Sequence, residues 1–132
     1  MRLDKVVLDT NVVVSALYKS DSNPGAIIQS IMDGEIVIFF NEPILAEYDE
    51  VLSRIRLHID KKEKVKILDL IQIRGAIFEP VKSSIEMADE DDRVFFDTAN
   101  QARVILVTGN TRHYPEQEFI MTPAEYVMLI KK

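Results

Sequence analysis

The chain of 132 residues contains no cysteine. That excludes disulfides, zinc–thiolate sites and thiol nucleophiles, and it suits a reducing compartment. Positive charge is in short supply: 16 Lys and Arg stand against 22 Asp and Glu, for a net charge of −6. Modules that wrap nucleic acid through its backbone are usually basic, so the balance counts against a DNA-binding module of that kind. It leaves a nuclease open, because a carboxylate cluster adds negative charge that divalent cations offset before they meet phosphate. No basic stripe or aromatic stacking platform stands out, so no target sequence is legible. No apolar run is long enough to span a membrane. The start, Met1-Arg2-Leu3-Asp4-Lys5, leads into an apolar run too short for a signal peptide. A soluble cytoplasmic protein is expected. Repeats, low-complexity tracts and linkers are also missing, and the length fits one domain over 1–132.

What is present is an alternation of short apolar runs with longer amphipathic ones. Residues 6–9 predict a buried strand ending in a polar cluster. Residues 23–33 predict a helix opened by Asn23-Pro24 and stopped at Gly34. Residues 36–40 are β-branched and aromatic, predicting a second strand, and Asn41-Glu42-Pro43 opens a helix to about residue 54. Residues 61–74 predict a long helix with Val65, Leu68 and Ile71 or Gln72 along one side. A short strand at 76–79 precedes a helix capped within 89–92 that carries Phe95, Phe96, Ala99 and Ala102. Residues 104–107 predict another buried strand, 119–121 a last edge strand, and Thr122-Pro123 a helix to about residue 130. Residues 18–23 and 82–91 are the candidate mobile loops. Strands alternating with helices predict a three-layer α/β/α fold around a mainly parallel sheet.

The acids fall at telling places. Asp9 ends the first apolar run, where ligands collect beyond strand ends in open α/β sheets; a plain turn or cap aspartate is the competing reading. Glu47 lies about one turn into the helix after the second strand, on the flank of its apolar stripe. It either reaches inward or keeps its head in solvent. Asp92 shares the inward side of its helix with Phe95, Phe96 and Ala99, although helix-start acids also serve as caps. Asp97 is rotated away and is a weaker candidate. Asn110 follows the strand at 104–107 and could orient a water or simply turn the chain. Thr10 and Asn11 could hold a carboxylate in place or act as caps. Arg93 and Arg112 could touch phosphate or only aid solubility, and neither His58 nor His113 is favoured as a base. Oxygen donors without Cys or paired His suit Mg²⁺ or Mn²⁺ rather than zinc.

Taken together these stretches resemble one family. Val6-Val7-Leu8-Asp9-Thr10-Asn11-Val12 resembles the opening strand of PIN-domain proteins. Asn41-Glu42-Pro43-Ile44-Leu45-Ala46-Glu47-Tyr48 resembles their second acidic motif. Asp91-Asp92-Arg93-Val94-Phe95-Phe96-Asp97-Thr98-Ala99, followed by Ile105-Leu106-Val107-Thr108-Gly109-Asn110, resembles the third motif and its strand. The subgroup it most resembles is the VapC-like toxin components of prokaryotic toxin–antitoxin systems. The resemblance implies that Asp9, Glu47 and Asp92 hold the metal, with Asn110 beside them and Thr10, Asn11 and Thr108 supporting them. It also implies Mg²⁺- or Mn²⁺-dependent hydrolysis of RNA phosphodiester bonds, a homodimer, and a cognate antitoxin protein. Asn110 stands where many family members carry a fourth acid, which removes one negative charge.

Two other classes compete. A receiver-like signalling domain also gathers acids at strand ends, but it wants a Lys after a late strand, where this chain has Thr108-Gly109-Asn110. A phosphatase beginning Asp-x-Asp-x-Thr is not matched by Asp9-Thr10-Asn11-Val12-Val13. A third reading keeps the fold but not the chemistry: an inactive PIN-like module that binds RNA or protein.

Overall fold

In the computed structural model, residues 2–131 are described; Met1 and Lys132 of the expected 1–132 domain lie outside the described residues. The elements run β1 (Arg2–Leu8), α1 (Thr10–Tyr18), α2 (Asn23–Met32), β2 (Val37–Phe40), α3 (Glu42–Leu52) and α4 (Lys61–Arg74). They continue with β3 (Ala76–Ile77), α5 (Arg93–Ala102), β4 (Val104–Val107), β5 (Ile120–Met121) and α6 (Pro123–Ile130). The sheet order is β3-β2-β1-β4-β5, and every strand pair is parallel. An all-parallel sheet needs both faces covered, which explains why Val104–Val107 is buried at every position. α5 packs on β4 and β1, α4 on β2, and α1, α2 and α6 pack against one another in turn. The expected α/β/α layering is therefore what the chain adopts.

β1 is the hinge of the topology. The chain steps from β1 to β2 on one side and reaches β4 on the other, so the connections diverge beyond Leu8 and Val107, which are paired in register. Ligand crevices form at such switch points, outside the carboxyl ends of the strands.

Three local readings change. Residues 10–18, assigned no element from sequence, form α1. Val12, Val13 and Val14 favour strands by propensity. Asp9 overrides them by accepting the Thr10 N–H at the helix start, while Val12 and Val13 are buried in the core. α2 is capped by Ser22 rather than Asn23: the Ser22 hydroxyl accepts the Gly25 N–H at 3.2 Å. Gly34 ends this segment at φ 77, a backbone shape suited to glycine. On α4 the buried positions are Ile67 and Ile71, not Val65, which is 44% exposed. Burial of Ile67 and Ile71 in the core sets the rotation of this helix, and Lys64 also reaches Asp49 on α3 at 2.8 Å.

Candidate active site

Asp9 leaves β1 with its backbone N–H donated to the Val107 carbonyl at 2.9 Å. The strand pairing thus continues to the first polar residue. Its carboxylate is buried and held from three sides. Oδ1 accepts the Thr10 N–H at 2.7 Å, and Oδ2 accepts the hydroxyls of Thr108 at 2.8 Å and Tyr114 at 3.0 Å. A buried carboxylate with three donors is well paid for in solvation terms and fixed in orientation.

Glu47 comes in from α3. That helix starts where the Asn41 side chain accepts the Ile44 N–H at 3.1 Å, and it is pinned across the end of β1 by Tyr48, whose hydroxyl donates to the Leu8 carbonyl at 2.5 Å. The pin turns the next residue back, Glu47, toward the Asp9 loop, where it accepts a hydrogen bond from the Thr10 hydroxyl. Burial raises the pKa of Glu47, the Thr10 bond opposes the rise, and the negative charge of Asp9 adds to it.

Asp92 comes from the start of α5. Asp89 caps the preceding turn (Glu90–Asp92) by accepting the Asp91 N–H at 2.9 Å, and Asp92 makes no side-chain cap bond of its own. The helix start therefore does not need the Asp92 carboxylate. Its Oδ2 is buried without any hydrogen-bond partner. Burial pushes its pKa up to about 6, with further upward pressure from Asp9, Asp89 and Glu47 and a smaller downward pull from His113. Burial likewise pushes the Tyr114 hydroxyl pKa far up, helped by Asp9, Asp92 and Glu47. Three separated parts of the chain thus deliver Asp9, Glu47 and Asp92 into one mutually repelling neighbourhood. They do not form a closed cage: among the described residues, no group of three or more Asp, Glu or His side chains is disposed to hold an ion as it stands.

The flanking polar residues divide. Thr10 and Thr108 each hold an acid, Glu47 and Asp9 respectively. Asn11 accepts the Gly109 N–H at 3.0 Å, tying the β1 and β4 ends together without touching an acid. Asn110 is exposed: its N–H donates to Thr108 Oγ1 at 3.1 Å and its amide faces His113 Nε2 at 3.0 Å. Tyr114 is the contributor that the sequence reading passed over. No local pattern marks a tyrosine 105 positions away as a donor to Asp9.

Arg93 and Asp97 have other work. Arg93 is buried, forks onto Glu90 at 2.7 and 2.8 Å, and donates to the Ser83 carbonyl at 2.9 Å. It is neither a phosphate contact nor a solubilising surface residue. Asp97 is buried and accepts both the Ser83 N–H, at 2.9 Å, and its hydroxyl, at 2.6 Å. Gln101 continues the stripe with paired bonds to the Val81 backbone at 2.6 and 2.8 Å. These three side chains, four residues apart along α5, hold the extended segment expected to be a mobile loop. Asp97→Ala strips Ser83 of both acceptors and should cost about 2–3 kcal/mol, read as a lower urea midpoint.

A family model for the PIN domain matches residues 5–112. An uncharacterized protein of Methanocaldococcus jannaschii is 31% identical over 109 residues, covering 80% of this chain and 70% of that one. Among solved structures, VapBC2 from Rickettsia felis bound to a DNA fragment from their promoter aligns with a TM-score of 0.58 and 18% identity, covering 89% of this chain and 96% of that chain. That likeness speaks to the fold, and the matched motifs run from β1 through β4. The chain belongs to the PIN-domain family.

Proposed function

We propose that the protein is a metal-dependent endoribonuclease that hydrolyses RNA phosphodiester bonds, with Asp9, Glu47 and Asp92 as the metal-holding carboxylates. One observation carries this reading. Asp92 Oδ2 is a buried acceptor with no partner, beside two other acids that raise its pKa. A buried unpaired carboxylate is costly, and a divalent cation supplies the missing positive charge. The donor set is all oxygen, which fits Mg²⁺ or Mn²⁺.

When bound, such an ion polarises the phosphate and lowers the pKa of a coordinated water. The chain's own residues do the rest. Thr10, Thr108 and Tyr114 fix the two acids they touch, so that little reorganisation is left for binding. Asn110, exposed at the β4 end, would orient water or a phosphate oxygen. Asn11 keeps the β1 and β4 loops in one position.

An antitoxin partner, a homodimer and a cytoplasmic location are proposed on the toxin-subgroup resemblance. VapBC2, a protein sharing this fold, is seen bound to promoter DNA. Exposed Ile73, Ile77 and Val81 offer apolar surface for such partners. No helix among the described residues is long and apolar enough to cross a membrane.

The test is cleavage of a fluorescent RNA with Mn²⁺, after chelation, and after Mn²⁺ is restored. Cleavage should disappear with the chelator and return with the metal. RNA cleaved equally in both states would refute the metal-dependent reading, while no cleavage in either, with metal bound, would favour the inactive binding module.

A further inference from the structure

The positive charge of this acidic chain is not spread evenly. Residues 54–66 hold six of the 16 Lys and Arg but only two of the 22 Asp and Glu, so the segment is net +4 and the remainder net −10. The cations run from the end of α3 through a 3-10 turn (Ile55–Leu57) into the first turns of α4, so they form a local cluster rather than a stripe along one element. The fold fastens this arm to the C-terminal end of α3, the helix that carries Glu47. Arg54 pairs with Glu50 at 3.0 Å, and Glu50 lies three residues from Glu47 on the same face of α3. Lys64 bridges Asp49 at 2.8 Å and Ser53 at 2.9 Å, which fastens the start of α4 to the helix that carries Glu47. The far side of the turn is anchored by Tyr18, whose hydroxyl donates to the Leu57 carbonyl at 2.5 Å.

Two of the six cations are thus used to hold the arm in place. The other four, Arg56, Lys61, Lys62 and Lys66, are exposed and have no ion-pair partner among the described residues. Between Arg54 and Arg56 projects Ile55, 89% exposed, an apolar side chain at the tip that no neighbour covers. Like charges crowded without partners cost stability unless they serve a polyanion.

We propose that this arm is the docking track for the backbone of single-stranded RNA flanking the cleaved bond. The idea rests on the nuclease reading. A polyanion approaching a chain of net charge −6 is repelled by most of its surface. The arm is the stretch that attracts it, and the succession Arg54–Glu50–Glu47, along one face of α3 and its C-terminal end, leads from the arm to the acids. Phosphate contacts of this kind set affinity and register, not sequence, and Ile55 offers an apolar seat to one base.

The test uses the full chain in EDTA, where no cleavage occurs, with a fluorescent oligouridylate as probe. Affinity is read by anisotropy across a salt series. In single strands each neutralised phosphate contributes about 0.7 to the log–log salt slope. The triple variant Arg56→Gln/Lys61→Gln/Lys62→Gln should bind more than tenfold more weakly, with a slope shallower by about 2. A control with the same charge change elsewhere, Lys82→Gln/Arg103→Gln/Lys131→Gln, should bind as wild type, and matching thermal midpoints establish that all are folded. Equal affinity and slope in arm and control variants would overturn the proposal, even if metal-dependent cleavage stands, and would point to an acidic protein as the arm's occupant. Arm-dependent binding by a protein that cleaves nothing would sustain the track and remove the nuclease reading instead.

Discussion

Asp9→Asn should leave RNA uncut while the protein stays folded. Asn has nearly the same shape, and the three donors around Asp9 are the Thr10 N–H and two hydroxyls. The hydroxyls can rotate to accept from an amide, so the local structure has a way to persist. What is lost is the negative charge at the centre of the acid neighbourhood, which adds to the rise that burial gives the pKa of both Glu47 and Asp92. Removing a direct metal ligand should lower the single-turnover rate about a thousandfold, equivalent to about 4 kcal/mol of barrier. The thermal midpoint should move little. Unchanged cleavage by the variant would mean that Asp9 is a structural cap and nothing more.

Asp92→Asn should pull function and stability in opposite directions. The carboxyl of Asp92 is pushed up to about 6 by burial and by Asp9. A raised carboxylate pKa means that the folded state prefers the protonated form. In metal-free protein its favourable contribution is fully present below the unfolded value near 3.9 and is lost as pH rises through about 6. Above that, the fold carries the repulsion of an ionised, partnerless oxygen. Asn removes it. Allowing for solvent screening of a partly exposed group, the gain is about 1 kcal/mol, or a rise of about 4 °C in the Tm. The expected pattern in EDTA is a Tm that falls between pH 4 and 7 more steeply for wild type than for the variant, with Glu47 contributing to the fall in both; with Mn²⁺ present, the variant should no longer cleave RNA. A variant less stable than wild type at pH 7 in EDTA would show that Asp92 supports the helix start after all. Protons also compete with metal, so wild-type metal affinity should weaken as pH drops through 6.

The layers of this fold were written in strong local signals. Residues 104–107 are uniformly apolar and become the buried β4, and Asn41 and Thr122 cap helices as their composition suggested. The neighbourhood of Asp9, Glu47 and Asp92 accords with their joint placement near one sheet edge and with the motif resemblance, whereas each position by itself also suits a cap or a solvent-facing acid. What failed were features set by tertiary contact. Residues 10–18 show no helix signal, since Val12, Val13 and Val14 favour strands by propensity, yet one cap and a buried face make them helix. Asp97 lies off the inward side shared by Asp92, and only the crossing of residues 81–83 over α5 reveals what it binds. Arg93 was weighed as a surface or phosphate cation because its partners, Glu90 and Ser83, are supplied by a turn and a loop. Tyr114 reaches Asp9 because the turn after β4 folds back over the strand end, and the same turn sets the Asn110 amide against His113.

The most direct measurement is a manganese anomalous map from crystals of the protein soaked in Mn²⁺. A peak bonded to carboxylate oxygens of Asp9, Glu47 and Asp92, absent from Asp9→Asn crystals, is the expected result. A map with manganese bound only elsewhere, and those three side chains as they stand without it, would contradict the account at its root.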